Sequence, residues 1–443
     1  MSRPLRSSRS ARIQHRAGAR RGLACAVGLA ALALCACKDR HAAPTPSARP
    51  AAGAPESPAR EPASAPAPLR RALWVLAEGS QRVLEHPERM PALLADARAL
   101  GATDLFVQVY RGGRAWFESS HADASPQREA AKRAGGDPLR ALIARAHEAG
   151  LRVHAWVNVL SLSGHPDAPI AVRNGRDAIH VDRQGRSLLD YPGYEIPEPD
   201  RRYYRMGTPG LYLDPAAPGV APALVATFSE LCTRYPELDG LHLDYIRYPD
   251  VLPFSPGSRF GVGLDFGYGA PSRKRFHDET GVEAPFRDRI ANADRWDAWR
   301  REQVDALVRE IARAARAAHP RIAMSAAVWS DPERAYQTIG QDWRRWLEEG
   351  WLDFAVPMAY TRDDRLLRYE AEGYARSPVG DRIWPGLGVW LFADSPERAL
   401  AQIEIARTAG APALALFSWD SIADAPALRD ALGQAQAAAG GAQ

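Results

Sequence analysis

Short apolar runs alternate with amphipathic stretches along most of the chain from Leu69 onward. Eight runs rich in β-branched and aromatic residues predict strands: RALWVLA (71–77), DLFVQVY (104–110), LRVHAWVNVL (151–160), GLHLDY (240–245), RIAMSAAVW (321–329), LDFAVPMAY (352–360), IWPGLGVW (383–390) and ALALFSW (413–419). The stretches between them place apolar residues at helical spacing. Eight strand–helix units predict an α/β fold with parallel pairing and, at this number, a closed (β/α)8 TIM barrel over residues 69–437.

A doubly wound open sheet is the main alternative to the barrel. Such a sheet usually has a Gly-rich turn after its first strand, and LAEGSQRV at 76–83 is not one. Two connections are too long for plain strand-to-helix loops: 161–217 after the third strand and 246–291 after the fourth. Both follow C-terminal strand ends, where barrel enzymes build their sites. Long loops inside a compact domain are usually functional.

Residues 1–36 have the features of a lipoprotein signal peptide. Seven Arg and no acid precede the apolar run LACAVGLAALALCAC, which is too short for a permanent membrane span. Its end, LCAC, resembles a lipobox with cleavage before a lipidated Cys37; bulky Leu34 makes Cys35 the poorer candidate. Lys38 follows, rather than the Asp that resembles an inner-membrane retention signal. The sequence therefore predicts a lipid anchor in the cell envelope, on the outer membrane facing the periplasm. A cytosolic protein with a basic tail is the alternative.

Residues 37–68 are predicted to be a disordered Pro/Ala-rich tether, and residues 438–443 a disordered tail. Loss of the seven leader Arg changes the formal net charge from +4 to about −3. The mature protein therefore lacks the basic surface expected of a nucleic-acid binder. Cys232 is the remaining Cys, so no internal disulfide can form. Neither CxxC nor HExxH occurs, and no metal or cofactor is predicted. An oligomeric state is not indicated.

The fourth strand carries the chemistry of interest, in DGLHLDYIRYP at 239–249. Alternation places His242 and Asp244 on one strand face and the two leucines on the other. The leucines suit the helix layer, which points His242 and Asp244 into the barrel, with Asp244 at its catalytic rim. A carboxylate there is costly unless it is paired or used. Asp244 is thus either the catalytic carboxylate, with His242 as hydrogen-bond partner, or half of a structural pair with Arg247.

Other predicted strands also end in polar and aromatic residues. Together they suit a sugar-binding cleft, in which a few hydrogen bonds orient rings stacked on aromatic side chains. Each could individually belong to the core, so the collective placement carries the prediction. The predicted substrate-binding residues are Gln108, Arg111, Asn158, His242, Tyr245, Arg247, Trp329, Tyr360, Trp390 and Asp420.

Several blocks in order resemble the glycosyl hydrolase-like 10 family of bacterial exported barrels, over about residues 70–420. They are DGLHLDYIRYP, RALWV, FVQVYRGGRAWFESS, DPLRALIARAHEAGLRVHAWVN, LYLDPAAPGV and DWRRWLEEGWLDFAVPMAY. Many members have two adjacent Asp where this chain has Asp244 and Tyr245, so no role of a second Asp carries over. Met358 stands where a Gln often follows the Pro. The resemblance implies a barrel of glycoside hydrolase type with Asp244 as its principal carboxylate.

Glycoside hydrolysis also needs a second carboxylate or an acetamido group of the substrate. No candidate at the rim has a specific motif, so a substrate-assisted mechanism stays open; the candidates are Glu118, Asp331, Asp363, Asp364 and Asp420. The expected function is hydrolysis of an envelope or extracellular polysaccharide, with peptidoglycan glycan strands as first candidate because the anchor would face that layer. A non-catalytic carbohydrate-binding barrel is the alternative. A deacetylase would need an Asp and His metal triad that the sequence does not assemble.

Overall fold

Eight parallel strands close into a barrel in the computed structural model, which describes residues 69–254 and 264–441. Each strand pairs with the next, and the first pairs with both the second and the last, so the predicted (β/α)8 barrel is confirmed. The signal peptide, Cys37 and the tether lie outside the described residues. The strands are β1 (Arg70–Val75), β2 (Asp104–Arg111), β3 (Arg152–Asn158), β4 (Gly240–Asp244), β5 (Ala323–Trp329), β6 (Phe354–Met358), β7 (Gly386–Leu387) and β8 (Ala413–Leu416).

Helices surround this sheet. The Asp137 carboxylate accepts hydrogen bonds from the backbone N–H groups of Leu139 and Arg140, at 3.0 and 3.2 Å. It thereby caps helix Pro138–Glu148, the second helix between β2 and β3. The α-helices span Met90–Ala99, Ser125–Ala134, Pro138–Glu148, Pro169–Asn174, Val220–Arg234, Ala270–Thr280, Ala293–Ala318, Pro332–Thr338, Trp343–Glu348, Asp364–Ala375, Pro396–Thr408, Trp419–Ala423 and Pro426–Gly441. Within the described ranges, no helix is both long and apolar enough to cross a bilayer.

The barrel interior is filled with aromatic side chains and is not a pore. Phe106 stacks on His242 with ring centroids 4.2 Å apart, and Phe354 stacks on Trp384 at 3.8 Å. Leucines of β4 face the other way and join the larger core between strands and helices. This packing supports the active face from below, as in other barrels of this kind.

The N-terminal end of the barrel holds a buried ionic cluster around Asp104. Its carboxylate accepts hydrogen bonds from Arg70 and Arg152 and lies 2.9 Å from His154 Nε2. Burial alone would raise the pKa of Asp104, but His154, Arg70 and Arg152 hold that pKa well below its usual range. The cluster links β1, β2 and β3 at the end opposite the predicted site, so its role is structural.

The two long connections after β3 and β4 are confirmed, and they pack on each other. Two short strands, Tyr204–Met206 from the first and Val251–Pro253 from the second, pair antiparallel into what we call the ribbon. Further along, Tyr268 N–H donates to Val181 O at 3.0 Å. The long loops therefore form one layer beside the C-terminal face of the barrel.

Several predicted boundaries differ from the structure, and two of the differences change the account of a residue or segment. The run 383–390 contains only the short strand β7, because residues Val389–Phe392 turn into a 3-10 helix. Trp390 therefore lies beyond a strand end and not on one. The last helix continues to Gly441, past residue 437, because its Ala-rich end favours helix. Residues 442–443 of the predicted tail lie outside the described residues.

Candidate active site

A cavity of about 130 Å³ opens at the C-terminal end of the barrel. Six of the predicted residues line it: Gln108, Arg111, Asp244, Tyr245, Arg247 and Tyr360. The other lining residues are Trp74, Leu76, Trp156, Ala327, Met358 and Phe417. A larger cavity of about 490 Å³, between the exit of β4 and helix Ala293–Ala318, has none of the predicted site residues in its wall. The predicted site residues are therefore gathered in the smaller, mixed polar and aromatic cavity.

Asp244 is the last residue of β4 and is 5% exposed. Its Oδ2 accepts a hydrogen bond from Trp156 Nε1–H at 3.0 Å, and its Oδ1 accepts one from the Tyr245 backbone N–H at 2.6 Å. Burial raises the pKa of Asp244 above 3.8, although the Arg247 charge and these two donors oppose the shift. A carboxyl group that keeps its proton beyond the ordinary range can act as a general acid.

The turn after Asp244 brings two further predicted residues to the cavity. Tyr245 has a φ of 51°, in the left-handed region that non-Gly residues seldom adopt. The Arg247 guanidinium lies 4.7 Å from the centre of the Tyr245 ring, and its ion pair is with Asp250 at 3.6 Å. Across the described ranges no ion pair joins Arg247 to Asp244 within 4.0 Å. The strand exit therefore does not form a direct ion pair between these two residues.

His242 lies beneath the cavity and not in its wall, so the structure does not bring it together with the predicted residues that line the cavity. Its Nε2 accepts a hydrogen bond from Trp74 Nε1–H at 3.2 Å, and its Nδ1 lies 2.9 Å from Ser325 Oγ. The ring is fully buried, and burial lowers the pKa of His242 well below 6.5. Trp156, and not His242, is the hydrogen-bond partner of Asp244. In the layer below the rim, the rings of Trp74 and Phe106 pack against His242.

Asp420 also lies outside the cavity wall, and its carboxylate holds the loop after β1. It accepts hydrogen bonds from the backbone N–H groups of Leu76 and Gln81, at 3.0 and 3.1 Å. A Cβ on Gly79 would lie 2.1 Å from Asp420 Oδ1, so the loop wraps closely around this carboxylate. Asp420 is 3% exposed and is absent from the cavity wall. Its role is to fix a loop that borders the site.

Three predicted residues surround the cavity without lining it. Asn158 Oδ1 accepts a hydrogen bond from Gln108 Nε2–H at 3.2 Å and orients that lining amide. The Trp329 ring lies 5.9 Å from the Arg247 guanidinium. Trp390 is 46% exposed, and its indole and Tyr360 both lie about 3.2 Å from where a Cβ on Gly388 would be. Trp390 thus stands at the cavity rim.

The predicted candidates for a second carboxylate make other contacts. Glu118 pairs with Arg234 at 3.2 Å. Asp331 and Asp363 accept backbone N–H groups as helix N-caps. Asp364 accepts a hydrogen bond from Gln402 Nε2–H at 3.1 Å. None of these four lines the cavity.

Glu78, which was not among the residues predicted from the sequence, has a carboxylate that lies closer to the site. Its oxygens are 2.9 Å from Arg111 Nε and 2.6 Å from Arg114 Nη1. Arg111 lines the same cavity as Asp244. Its position in the sequence could have indicated it. Glu78 follows the end of the first strand by three residues, and the predicted second carboxylates likewise follow the ends of other strands. The arginines that hold it come from β2 and the residues after it, and local sequence does not show them.

No metal centre is evident at the site. Throughout the part of the chain that the structure describes, no three His, Cys, Asp or Glu side chains are grouped so as to hold a metal ion.

Comparison with known proteins agrees with this geometry. The model of the glycosyl hydrolase-like 10 family matches residues 69–372. The chain belongs to this family. The glycosyl hydrolase DigH of Escherichia coli K12 is 25% identical over 400 residues, which cover 82% of each chain. The glycosyl hydrolase YngK of Bacillus subtilis is 24% identical over 295 residues, covering 63% of this chain and 50% of YngK.

Solved structures share the fold of this family member at low sequence identity. The glycoside hydrolase domain of PgaB from Bordetella bronchiseptica superimposes with a TM-score of 0.58 at 16% identity, covering 82% of this chain and 99% of that domain. The alpha-L-fucosidase isoenzyme 2 of Paenibacillus thiaminolyticus gives 0.52 at 14% identity, covering 83% of this chain and 49% of the fucosidase. These likenesses confirm the barrel architecture.

Both sequence departures from the glycosyl hydrolase-like 10 pattern lie in the cavity wall. Tyr245 and Met358, which stand at these two positions, both line it. Asp244 is the one carboxylate among the residues that line the cavity. Membership and site geometry together support a glycosidase-type function.

Proposed function

We propose that the protein is a glycoside hydrolase of an envelope or extracellular polysaccharide, with peptidoglycan glycan strands as first candidate and Asp244 as catalytic acid. The observation that carries the proposal is the position of Asp244: a buried carboxyl group with a raised pKa at the mouth of the barrel. Arg111, Gln108 and Tyr360 offer hydrogen-bonding groups beside it, and Trp156 and Phe417 supply apolar surface.

In this proposal Asp244 donates its proton to the glycosidic oxygen as the bond to the sugar C1 breaks. The N–H groups of Trp156 and Tyr245 fix the carboxyl orientation, and the carboxylate they leave behind stays hydrogen-bonded. Water then adds to C1, assisted by a carboxylate or by the substrate's own acetamido group. Glu78, held against Arg111, is the carboxylate to test in this second role.

The test compares wild-type protein with Asp244→Asn on peptidoglycan and on chitin, with release of soluble fragments as the measurement. We expect the substitution to lower turnover by about a hundred- to ten-thousand-fold, the range for loss of a general acid. Asn keeps the shape of the carboxyl group but only one of its two acceptor oxygens, so thermal unfolding is measured beside the wild type to check that the fold is retained. Asp239→Asn, near the opposite end of β4, is the matched control and should retain turnover. Wild-type turnover in the Asp244 variant would refute the assignment.

A non-catalytic carbohydrate-binding barrel is the second candidate. It is favoured by the engagement of Glu118, Asp331, Asp363 and Asp364 in contacts away from the cavity. Binding of intact polymer without fragments from wild-type protein would support this candidate. If wild-type protein cleaves and Glu78→Gln does so equally well, the substrate-assisted mechanism is the one supported.

We also propose that the protein is held at the outer membrane, facing the periplasm, by lipid on Cys37. The sequence pattern of residues 1–38 supports this location, and the tether would carry the barrel away from the membrane surface. The expected partners are then the membrane, through the anchor, and the polysaccharide substrate.

A further inference from the structure

Arg247 is a buried cation whose N–H donors are not taken up by the rest of the protein. The residue is 5% exposed, and its Nε is buried without a hydrogen-bond partner among the described residues. Its one ion pair within the described ranges joins Nη2 to Asp250 Oδ1 at 3.6 Å, which is longer than a hydrogen bond. A guanidinium group has five N–H donors, and burying polar groups without partners is costly. This arrangement is expected where a ligand supplies the acceptors.

The Arg247 side chain faces the cavity at Asp244. Both residues line this cavity of about 130 Å³. The centre of the Tyr245 ring lies 4.7 Å from the guanidinium group and that of the Trp329 ring 5.9 Å from it, so aromatic contacts hold the group in place without accepting its hydrogen bonds. The Arg247 charge also opposes the rise in the pKa of Asp244, so its electric field reaches that carboxyl group. A ligand that reaches Asp244 in this cavity therefore meets Arg247 as well.

The charges around the cavity leave an excess of positive charge. Arg111, the second arginine of the wall, shares the Glu78 carboxylate with Arg114, at 2.9 and 2.6 Å, so one negative charge faces two positive ones. The Arg247 ion pair is neutral overall. Asp244, the one carboxylate in the wall, carries no charge in the protonated form that the proposed reaction uses. A negatively charged substituent on the substrate would complement this wall.

We propose that Arg247 binds a carboxylate group on a sugar at or next to the bond cleaved at Asp244, so that the preferred substrate is an acidic polysaccharide. The proposal rests on the proposed function, because it names the chemical class of polymer for the same cavity. The planar guanidinium fork matches a carboxylate through two parallel hydrogen bonds. A carboxylate also carries one negative charge, which equals the excess of the wall, whereas a phosphate monoester carries about 1.5 to 2.

The experiment compares chitin oligomers that carry carboxymethyl groups at O3 or at O6 with the methyl esters of the same oligomers. The ester removes the charge and adds only a methyl group. We expect wild-type kcat/KM to be about ten- to a hundredfold higher for the acid than for the ester at one of these positions, the range for hydrogen bonds to charged groups. In Arg247→Gln with Asp250→Asn, which leaves no unpaired buried charge, this ratio should fall to about one. Because the ratio compares two substrates of one protein, a general loss of activity leaves it unchanged.

Arg334→Gln is the matched control. The Arg334 guanidinium also lies against Trp329, 4.8 Å from the ring centre, and its Nε is likewise buried without a partner among the described residues, but it does not line the cavity. This variant should keep the wild-type ratio of acid to ester. Arg247→Lys keeps the charge but not the planar fork, so its ratio should lie between those of the wild type and the double variant.

Binding of the same oligomers to Asp244→Asn, measured by calorimetry, separates the subsite from the reaction. Preference for the acid in binding, without cleavage by wild-type protein, would support the subsite and overturn the hydrolase. Cleavage of acid and ester with equal kcat/KM at both positions would overturn the subsite and leave the proposed function intact. Protein that neither binds nor cleaves any of the oligomers would overturn both. A preference for O-sulfated over carboxymethylated oligomers would overturn the assignment of a carboxylate.

Discussion

At the scale of single residues, the chemistry of Asp244 is decided by its surroundings. Burial favours the protonated carboxyl group, whereas the Arg247 charge and the N–H groups of Tyr245 and Trp156 favour the carboxylate. Burial is the larger effect, so the pKa of Asp244 is raised. A raised folded-state pKa means that this group favours the folded state at low pH, and that this contribution is lost as pH rises through the raised value.

Trp156→Phe tests this balance directly. The substitution removes an N–H group that stabilises the carboxylate, so the pKa of Asp244 should rise further. Because the protonated form is the active acid, the alkaline limb of the kcat/KM profile should move to higher pH. Its maximum should fall about tenfold as the carboxyl group loses one orienting bond. The measurement is kcat/KM across the pH range on whichever polymer wild-type protein cleaves.

Trp351→Phe is the matched control for that profile. Trp351 lies near Arg309 and Arg345 on the helix layer and does not line the cavity. Its profile should match that of the wild type. An alkaline limb that stays in place in Trp156→Phe would assign the titrating group to a residue other than Asp244.

At the scale of strands and loops, side-chain alternation predicted the inward face of β4 correctly but not the depth of each residue. His242 lies two residues below Asp244 and falls in a layer closed by Trp74 and Phe106. The strand pattern shows on which face of the strand a residue lies. Whether the layer at that residue is filled depends on side chains from other strands. Contacts between distant parts of the chain were also not predictable from local sequence. Asp420, for example, contacts the loop after β1 across 344 residues of sequence.

Asp420→Ala should loosen that loop. It would leave the backbone N–H groups of Leu76 and Gln81 without their acceptor, and an unsatisfied buried donor costs about 1–3 kcal/mol. We expect the free energy of unfolding to fall by about 2–4 kcal/mol in denaturant titrations. Asp424→Ala is the control. Among the described hydrogen bonds, the exposed Asp424 carboxylate accepts only from the Gln81 side chain, so its removal should change the free energy of unfolding little. A stable Asp420 variant with impaired substrate binding would instead return Asp420 to the substrate contacts.

At the scale of the whole molecule, the two barrel ends carry different kinds of charge. The N-terminal end is closed by Asp104 with its arginine and histidine partners, whereas the C-terminal end keeps Asp244 in an open cavity. The count of strand–helix units predicted this polarity because parallel strands place all their C-terminal ends on one face. The ribbon and Trp390 then extend that face beyond the barrel mouth.

The proposed anchor determines where that face meets its substrate. Cys37→Ser should abolish incorporation of labelled fatty acid and leave the precursor uncleaved, because a signal peptidase that cleaves before a lipidated Cys has lost its residue. Cys35→Ser is the matched control and should leave both unchanged, since bulky Leu34 precedes that position. The Cys37 variant should retain polymer cleavage, because the barrel is separate from the anchor along the chain. Fatty-acid labelling that persists in Cys37→Ser would contradict the assignment of this residue as the lipid attachment site.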